Sequence, residues 1–183
     1  MKKRRDFFSQ HFYEYISQIT GDAGVKILEN IGDGATDEKI LDKTKIPKMA
    51  EIRAVLNQLH ENGVVDYTRE KNLTNGWFTY TWRFNTSRAV QNFMVCKKRE
   101  YEQLLGELQS QEGAMFYKCS KGCNKLAFDV AIETGFRCPK CNLKLRTHDN
   151  ATEIKTMNQR IQAIQKLLEY TQQNNNPFNG ISP

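Results

Sequence analysis

The residues of this chain best placed to do chemistry are four cysteines in two close pairs. Cys119 and Cys123 are separated by Ser-Lys-Gly, and Cys138 and Cys141 by Pro-Lys. Each short turn aims two sulfurs at one point, and two such turns close a tetrahedral shell around one zinc ion. Gly122 and Pro139 suit these knuckles, because glycine tolerates positive φ and proline presets a turn. Four thiolates fill the shell and leave no open position for a substrate, so the expected metal is structural. A disulfide pair would need an oxidising compartment, and a redox Cys-Pro-Lys-Cys would need a βαβ context; neither is indicated. His148 lies close to the second knuckle but reads as a surface histidine, and Cys96 as an idle or buried thiol.

The segment between the pairs must bring the knuckles together. Leu126-Ala-Phe128-Asp-Val130-Ala-Ile132 alternates like a half-buried strand, Glu133-Thr134-Gly135 turns it, and Phe136-Arg137 leads into the second knuckle. Two knuckles joined by a hairpin make a zinc ribbon over residues 113–149.

Upstream, residues 1–85 read as a winged helix with an extra leading helix. Phe8, Phe12, Tyr15 and Ile19 recur at helical spacing, Gly21-Asp22 breaks the run, and a second helix carries Val25, Ile27, Leu28 and Ile31. Thr36 is the N-cap of a short helix, with Asp37 and Glu38 at the positive end of its dipole. A longer helix opens at Ile46-Pro47 with Pro47 in its first turn, buries Ile52, Val55, Leu56 and Leu59, and stops at Asn62-Gly63. Two strands follow, Val64–Lys71 and Trp77–Phe84, joined at Asn75-Gly76. A two-residue turn there sets Leu73 against Phe78, Lys71 against Tyr80, Arg69 against Trp82 and Tyr67 against Phe84, all on one side of the ribbon. Tyr67, Trp82 and Phe84 are then expected inside, and Trp77, Phe78 and Tyr80 partly exposed beside Arg69 and Lys71.

A linker helix spans residues 86–112, capped by Thr86 or Ser87, with Val90, Met94, Tyr101, Leu104 and Leu108 as its apolar stripe. A last helix over 150–172 repeats apolar residues at Ile154, Met157, Ile161, Ile164 and Leu168. Such a stripe left exposed would be sticky, so the two helices are expected to pair antiparallel within the chain. Residues 173–183 are polar and expected to be disordered. The fold class is thus mostly α with small β: winged helix, long linker helix, zinc ribbon and final helix.

Composition narrows the function. The 183 residues carry a net charge of +6, but residues 1–85 hold 13 basic and 12 acidic side chains, and residues 112–151 hold 7 and 4. The ribbon is the most basic region, and the winged helix is almost neutral, which permits nucleic-acid contact without demanding it. No apolar run approaches the roughly 20 residues of a membrane span, so a cytosolic or nuclear protein is expected. There is no phosphate-cradling glycine loop, paired carboxylate set or nucleophile–base pair, so no enzyme is expected. On the longer helix, Lys48, Arg53 and Asn57 face outward and are candidates for contact with DNA. The wing set, Arg69, Lys71, Trp77, Phe78 and Tyr80, interleaves rings with cations and suits unpaired bases or a partner's pocket.

The order of these parts resembles archaeal transcription factor E, the homologue of the alpha subunit of eukaryotic TFIIE. The carriers are the Phe7–Ile19 helix ahead of the winged helix, the Trp77–Phe84 strand, and the Cys119, Cys123, Cys138 and Cys141 set. A typical ribbon knuckle has two residues between its cysteines; the first one here has three. The resemblance implies a monomeric initiation factor in the archaeal cytoplasm, at the nucleoid. It implies binding to the clamp and stalk of RNA polymerase in a promoter complex with the TATA-binding protein and transcription factor B. It further implies help with promoter melting and stabilisation of the open complex through the non-template strand. The alternative from another class is a sequence-specific repressor that dimerises through its last helix and reads the major groove.

Overall fold

The computed structural model describes residues 7–71, 73 and 76–173. The expected turn residue Asn75 and the tail from residue 174 lie outside them. Among the described residues six helices and six strands follow one another: α1 (Phe7–Ile31), β1 (Ala35–Thr36), α2 (Asp37–Thr44), α3 (Met49–Glu61), β2 (Val65–Lys71), β3 (Phe78–Phe84), α4 (Thr86–Gln111), β4 (Phe116–Cys119), β5 (Lys125–Ala127), α5 (Phe128–Glu133), β6 (Leu145–His148) and α6 (Ala151–Gln173). They form two compact units, one of residues up to Lys97 together with those from Leu167 onward, the other of Lys98–Lys166.

In the first unit, α1 is two helical pieces meeting at Gly21, whose φ of 65° and ψ of −167° are accessible to glycine and not to a helix. Its inner face is Phe8, Phe12, Tyr15 and Ile16, then Ile27, Leu28 and Ile31. Thr36 caps α2 by accepting the Lys39 N–H. Helix α3 starts at Met49, with Lys48 as its cap, so Pro47 precedes the cap and does not sit in the first turn. Its end is a Schellman closure: the Gly63 N–H reaches the His60 carbonyl and the Val64 N–H the Leu59 carbonyl, both at 2.8 Å. Only a residue at ease with positive φ closes this turn, and Gly63 has φ 68°.

The sheet has the order β1-β3-β2. The short strand β1 was not legible in the sequence; Ala35 pairs Trp82 and Thr36 pairs Thr81. The wing register also differs from expectation. Lys71 opposes Phe78, Arg69 opposes Tyr80, Tyr67 opposes Trp82 and Val65 opposes Phe84. The ladder is therefore displaced by two residues from the register a tight Asn75-Gly76 turn would set. Core burial decides this: Val65 is fully buried in the ladder, while Leu73, which the expected register would pair, is 95% exposed. Because the displacement is an even number of residues, the same side chains still share a face.

Helix α4 is capped by Asn85, whose side-chain oxygen accepts the Arg88 N–H, and not by Thr86 or Ser87. Its innermost residues are Ala89 and Phe93, which join Phe8, Phe12 and Leu167 in the core. The helical spacing had pointed instead to Val90 and Met94, which pack at the edge of that core. In this unit the Thr171 hydroxyl donates to the Met94 sulfur at 3.3 Å. In the second unit Arg160 pairs with Glu100, and the Asn150 amide donates to the Gln111 carbonyl. Within that second unit a residue just before α6 meets the end of α4 and a later residue of α6 meets an earlier one of α4, so there the two helices run antiparallel.

The ribbon sheet has the order β5-β4-β6. The segment read as a continuous strand from Leu126 to Ile132 is instead the short strand β5 followed by the helical turn α5. Only Ala131 of α5 is buried; Val130 and Ile132 are 40% and 51% exposed. A one-turn helix lets Ala131 pack against the sheet, with Phe128 reaching Tyr117 at 6.2 Å.

Candidate functional site

The four cysteines meet at one end of the ribbon. Cys119 ends β4, Cys123 closes the first knuckle, and Cys138 and Cys141 flank the second; all four sulfurs lie within 4.8 Å of one another. The first knuckle is held by the Gly122 N–H on the Cys119 carbonyl at 2.8 Å, with Gly122 at φ 72°. The second is held by the Asn142 N–H on the Cys138 carbonyl and the Cys138 N–H on the Leu143 carbonyl, with Asn142 at φ 59°. The extra residue of the first knuckle is absorbed in this turn, and the sulfurs still converge. A tetrahedron of sulfurs at about 2.3 Å from a metal has edges of about 3.8 Å, and one pair here, Cys119 to Cys141, is 3.4 Å apart.

The protonation of this cluster favours a cation. The Lys121 N–H pulls the Cys119 thiol down to about 7 against the opposing effect of burial, with help from the Cys141 thiol. The Leu143 N–H pulls Cys141 down too, but Cys119, burial and the other two thiols drive it up to about 12. For Cys123, stabilisation by Cys141 is outweighed by burial and the charges of Cys119 and Cys138, and it is raised. Cys119 ionises readily, and Cys123 and Cys141 resist a second negative charge so close. A divalent ion reverses that balance by expelling the remaining protons. His148 takes no part: it stands on β6 and bonds Glu153 at 3.0 Å.

The winged-helix unit holds a second candidate site. A cleft of about 540 Å³ lies between the α2–α3 side and the wing, lined by Asp37, Glu38, Arg53, Asn57, Tyr67, Trp77, Phe78, Thr79, Tyr80 and Trp82. It brings together Arg53 and Asn57 of the helix with Trp77, Phe78 and Tyr80 of the wing; Lys48, Arg69 and Lys71 are not in its lining. Arg69 instead lies over the Phe78 ring at 4.4 Å. Trp77 is 73% exposed and Phe78 46%. Tyr80 is half-buried, its ring 5.3 Å from that of Tyr67.

Two residues behave differently from expectation. Tyr67 is 43% exposed and not buried, because the shifted register sets it beside Trp82 at the mouth of the cleft, where it also meets His60 at 5.1 Å. Arg53 is not a free reader of bases: its Nε bonds Asp37 at 2.7 Å, and the other Asp37 oxygen takes the Trp82 indole N–H at 2.7 Å. Sequence reasoning placed Asp37 only as a helix-dipole residue. The signal that could have found its role is Trp82 itself, since a buried indole N–H needs an acceptor.

Fold and site together define the class: a winged-helix protein that also carries a four-cysteine ribbon. The model of the TFIIE alpha subunit family matches residues 12–113. A transcription factor E of Methanosarcina mazei is 35% identical over 151 residues, covering 82% of this chain and 92% of that one. One of Pyrococcus abyssi is 34% identical over 156 residues, covering 83% and 81%, and one of Methanobrevibacter smithii 32% over 149 residues, covering 80% and 85%. The chain belongs to the TFIIE alpha subunit family and is a TFIIE-like transcription initiation factor. No helix among the described residues is long and apolar enough to cross a membrane.

Proposed function

We propose that the chain binds RNA polymerase in the promoter complex, aids promoter melting and stabilises the open complex through the non-template strand. The observation that carries this reading is the wing: Trp77 and Phe78 stand exposed beside Arg69 and Lys71 in a unit of almost balanced charge. A duplex hides its base faces, so rings exposed in this way gain little from it. A melted strand offers those faces, and stacking is worth roughly 1–3 kcal/mol per base. Binding that is tighter to the open form moves the closed–open equilibrium by the difference in affinity. The partners proposed are the polymerase clamp and stalk, with the TATA-binding protein and transcription factor B in the same assembly. Arg53 and Asn57 then line a cleft beside the strand, and Lys48 contributes charge at the helix start.

The ribbon is proposed to hold one zinc ion on Cys119, Cys123, Cys138 and Cys141. The ion supplies a structural crosslink, and no reaction is routed through it. The chain is proposed to act as a monomer, since Leu167 of α6 is fully buried in the core of its own chain and is not available to a second copy.

Permanganate footprinting of a linear promoter tests the wing. Replacing Phe78 and Tyr80 together by Ala should lower the open fraction about fivefold or more, following the loss of at least one stacking contact. Equal opening by variant and wild type at matched polymerase occupancy would show that these rings are structural.

A further inference from the structure

The two sides of the ribbon differ in chemistry. In β4, Tyr117 and Cys119 point inward, and Leu126 and Leu145 join them around Ala131. Phe116 and Lys118 therefore point outward, because side chains alternate along a strand. Register then determines their neighbours. Lys118 stands directly opposite Lys125 on one side and Arg146 on the other, so three cations lie in a row across three strands. Lys144 continues the outward parity of β6 and bridges Arg137, adding two more.

Like charges directly opposite in a sheet are destabilising. The structure relieves only one end of the row. Lys125 turns away to Glu153 and Gln111 and covers the Phe116 ring at 4.5 Å. Lys118, Lys144 and Arg146 are exposed and have no carboxylate partner among the described residues. Asp129 and Glu133 belong to α5, which packs on the inward side.

We infer that this outward face, centred on Lys118 and Arg146 with Arg137 and Lys144 beside them, binds the phosphate backbone of duplex DNA. Charge complementarity selects a polyanion, and two further features select the duplex. An interface with a protein has an apolar centre from which charge is depleted, and here the centre is charged. Of the large apolar side chains exposed on the ribbon, Phe128, Val130 and Ile132 belong to α5, and Met115 and Leu143 lie outside the strands that carry the row of cations. A single strand needs rings to stack on; of the two rings on this face, Phe116 is covered by Lys125 and His148, directly opposite it, is held by Glu153. What remains is contact with phosphates and no reading of bases, which positions a protein without specifying sequence. The inference does not depend on the wing.

The test is fluorescence anisotropy of the zinc-loaded full chain on a labelled duplex of arbitrary sequence, repeated across salt concentration. Each phosphate contact contributes about 0.9 to the slope of log affinity against log salt. The K118Q/R146Q double variant should therefore lower that slope by about 2, and weaken binding evenly across duplex sequences. The F78A/Y80A variant, which removes no charge, should keep the wild-type slope, so failure here and failure of the wing reading are told apart. Four results would overturn the inference. The slope could be unchanged. The loss could be equally large on a single strand of the same length. Polyglutamate at matched charge could displace the chain as well as unlabelled duplex does, which would point to an acidic protein. Finally, the variant could lose zinc, which would assign these cations to offsetting the charge of the thiolate cluster.

Discussion

The winged-helix unit and the ribbon unit reach a stable fold by different means. The first buries Phe8, Phe12, Ile16, Phe93 and Leu167 almost completely, with several rings in edge-on contact. The ribbon has four buried core residues, and two of them are cysteines: Cys119, Ala131, Cys138 and Leu145. A core so small cannot offset the entropy of ordering its chain, so a crosslink has to supply what apolar area does not. The difference teaches where each unit is vulnerable. One fails when a large ring is removed, and the other when a ligand is.

The largest expected effect follows from removing the proposed zinc, either by a strong chelator or by Cys138→Ser. Structural zinc commonly carries the whole folding free energy of such a module. Amide hydrogen exchange should show residues 116–148 losing protection while residues 7–84 keep theirs. Loss of protection in both regions would mean that the winged helix depends on the ribbon. The reciprocal experiment is Phe93→Ala, which leaves a cavity at the centre of the first unit and should cost about 3–5 kcal/mol. Zinc content should stay at one ion per chain, and urea unfolding followed by tryptophan fluorescence gives the loss.

A smaller effect is expected from Asp37→Ala. It strips the Trp82 indole of its acceptor and releases Arg53. An unsatisfied buried donor costs about 1–3 kcal/mol, so this variant should be less stable than Arg53→Ala, whose side chain is 59% exposed. Equal losses would mean that the ion pair, and not the indole bond, holds the wing base.

The smallest effect concerns Glu153, which Lys125 first and His148 second hold below the ordinary carboxylate value of 4.5. A carboxylate lowered in the folded state stabilises the fold above its unfolded value, and that contribution is lost as pH falls through the lowered one. Acid unfolding of the wild type should thus steepen slightly below the ordinary value, and Glu153→Gln should remove only that part. The side chain is 44% exposed, so solvent screening keeps the change small.

Much of this was legible in the chain because it is encoded locally. The cysteine spacings single out the four sulfurs that converge, Thr36 and Gly63 mark helix ends through their own backbone and side-chain chemistry, and the apolar runs of α3 and α6 expose their period. Other features depend on residues far apart and were not legible. The wing register follows burial of Val65 against the domain core and overrides the local preference of Asn-Gly for a tight turn. Asp37 acquires its role from Trp82, 45 positions away. Leu167, next to the expected Leu168, is the buried one because Phe8 and Phe93 arrive there from other helices. The row of cations on the ribbon exists only once Lys118, Lys125 and Arg146 are brought into register. Caps and knuckles are settled by bonds within a few residues, which the chain specifies directly. Registers and shared faces are settled by which arrangement buries the most apolar surface, and that quantity exists only for the assembled fold.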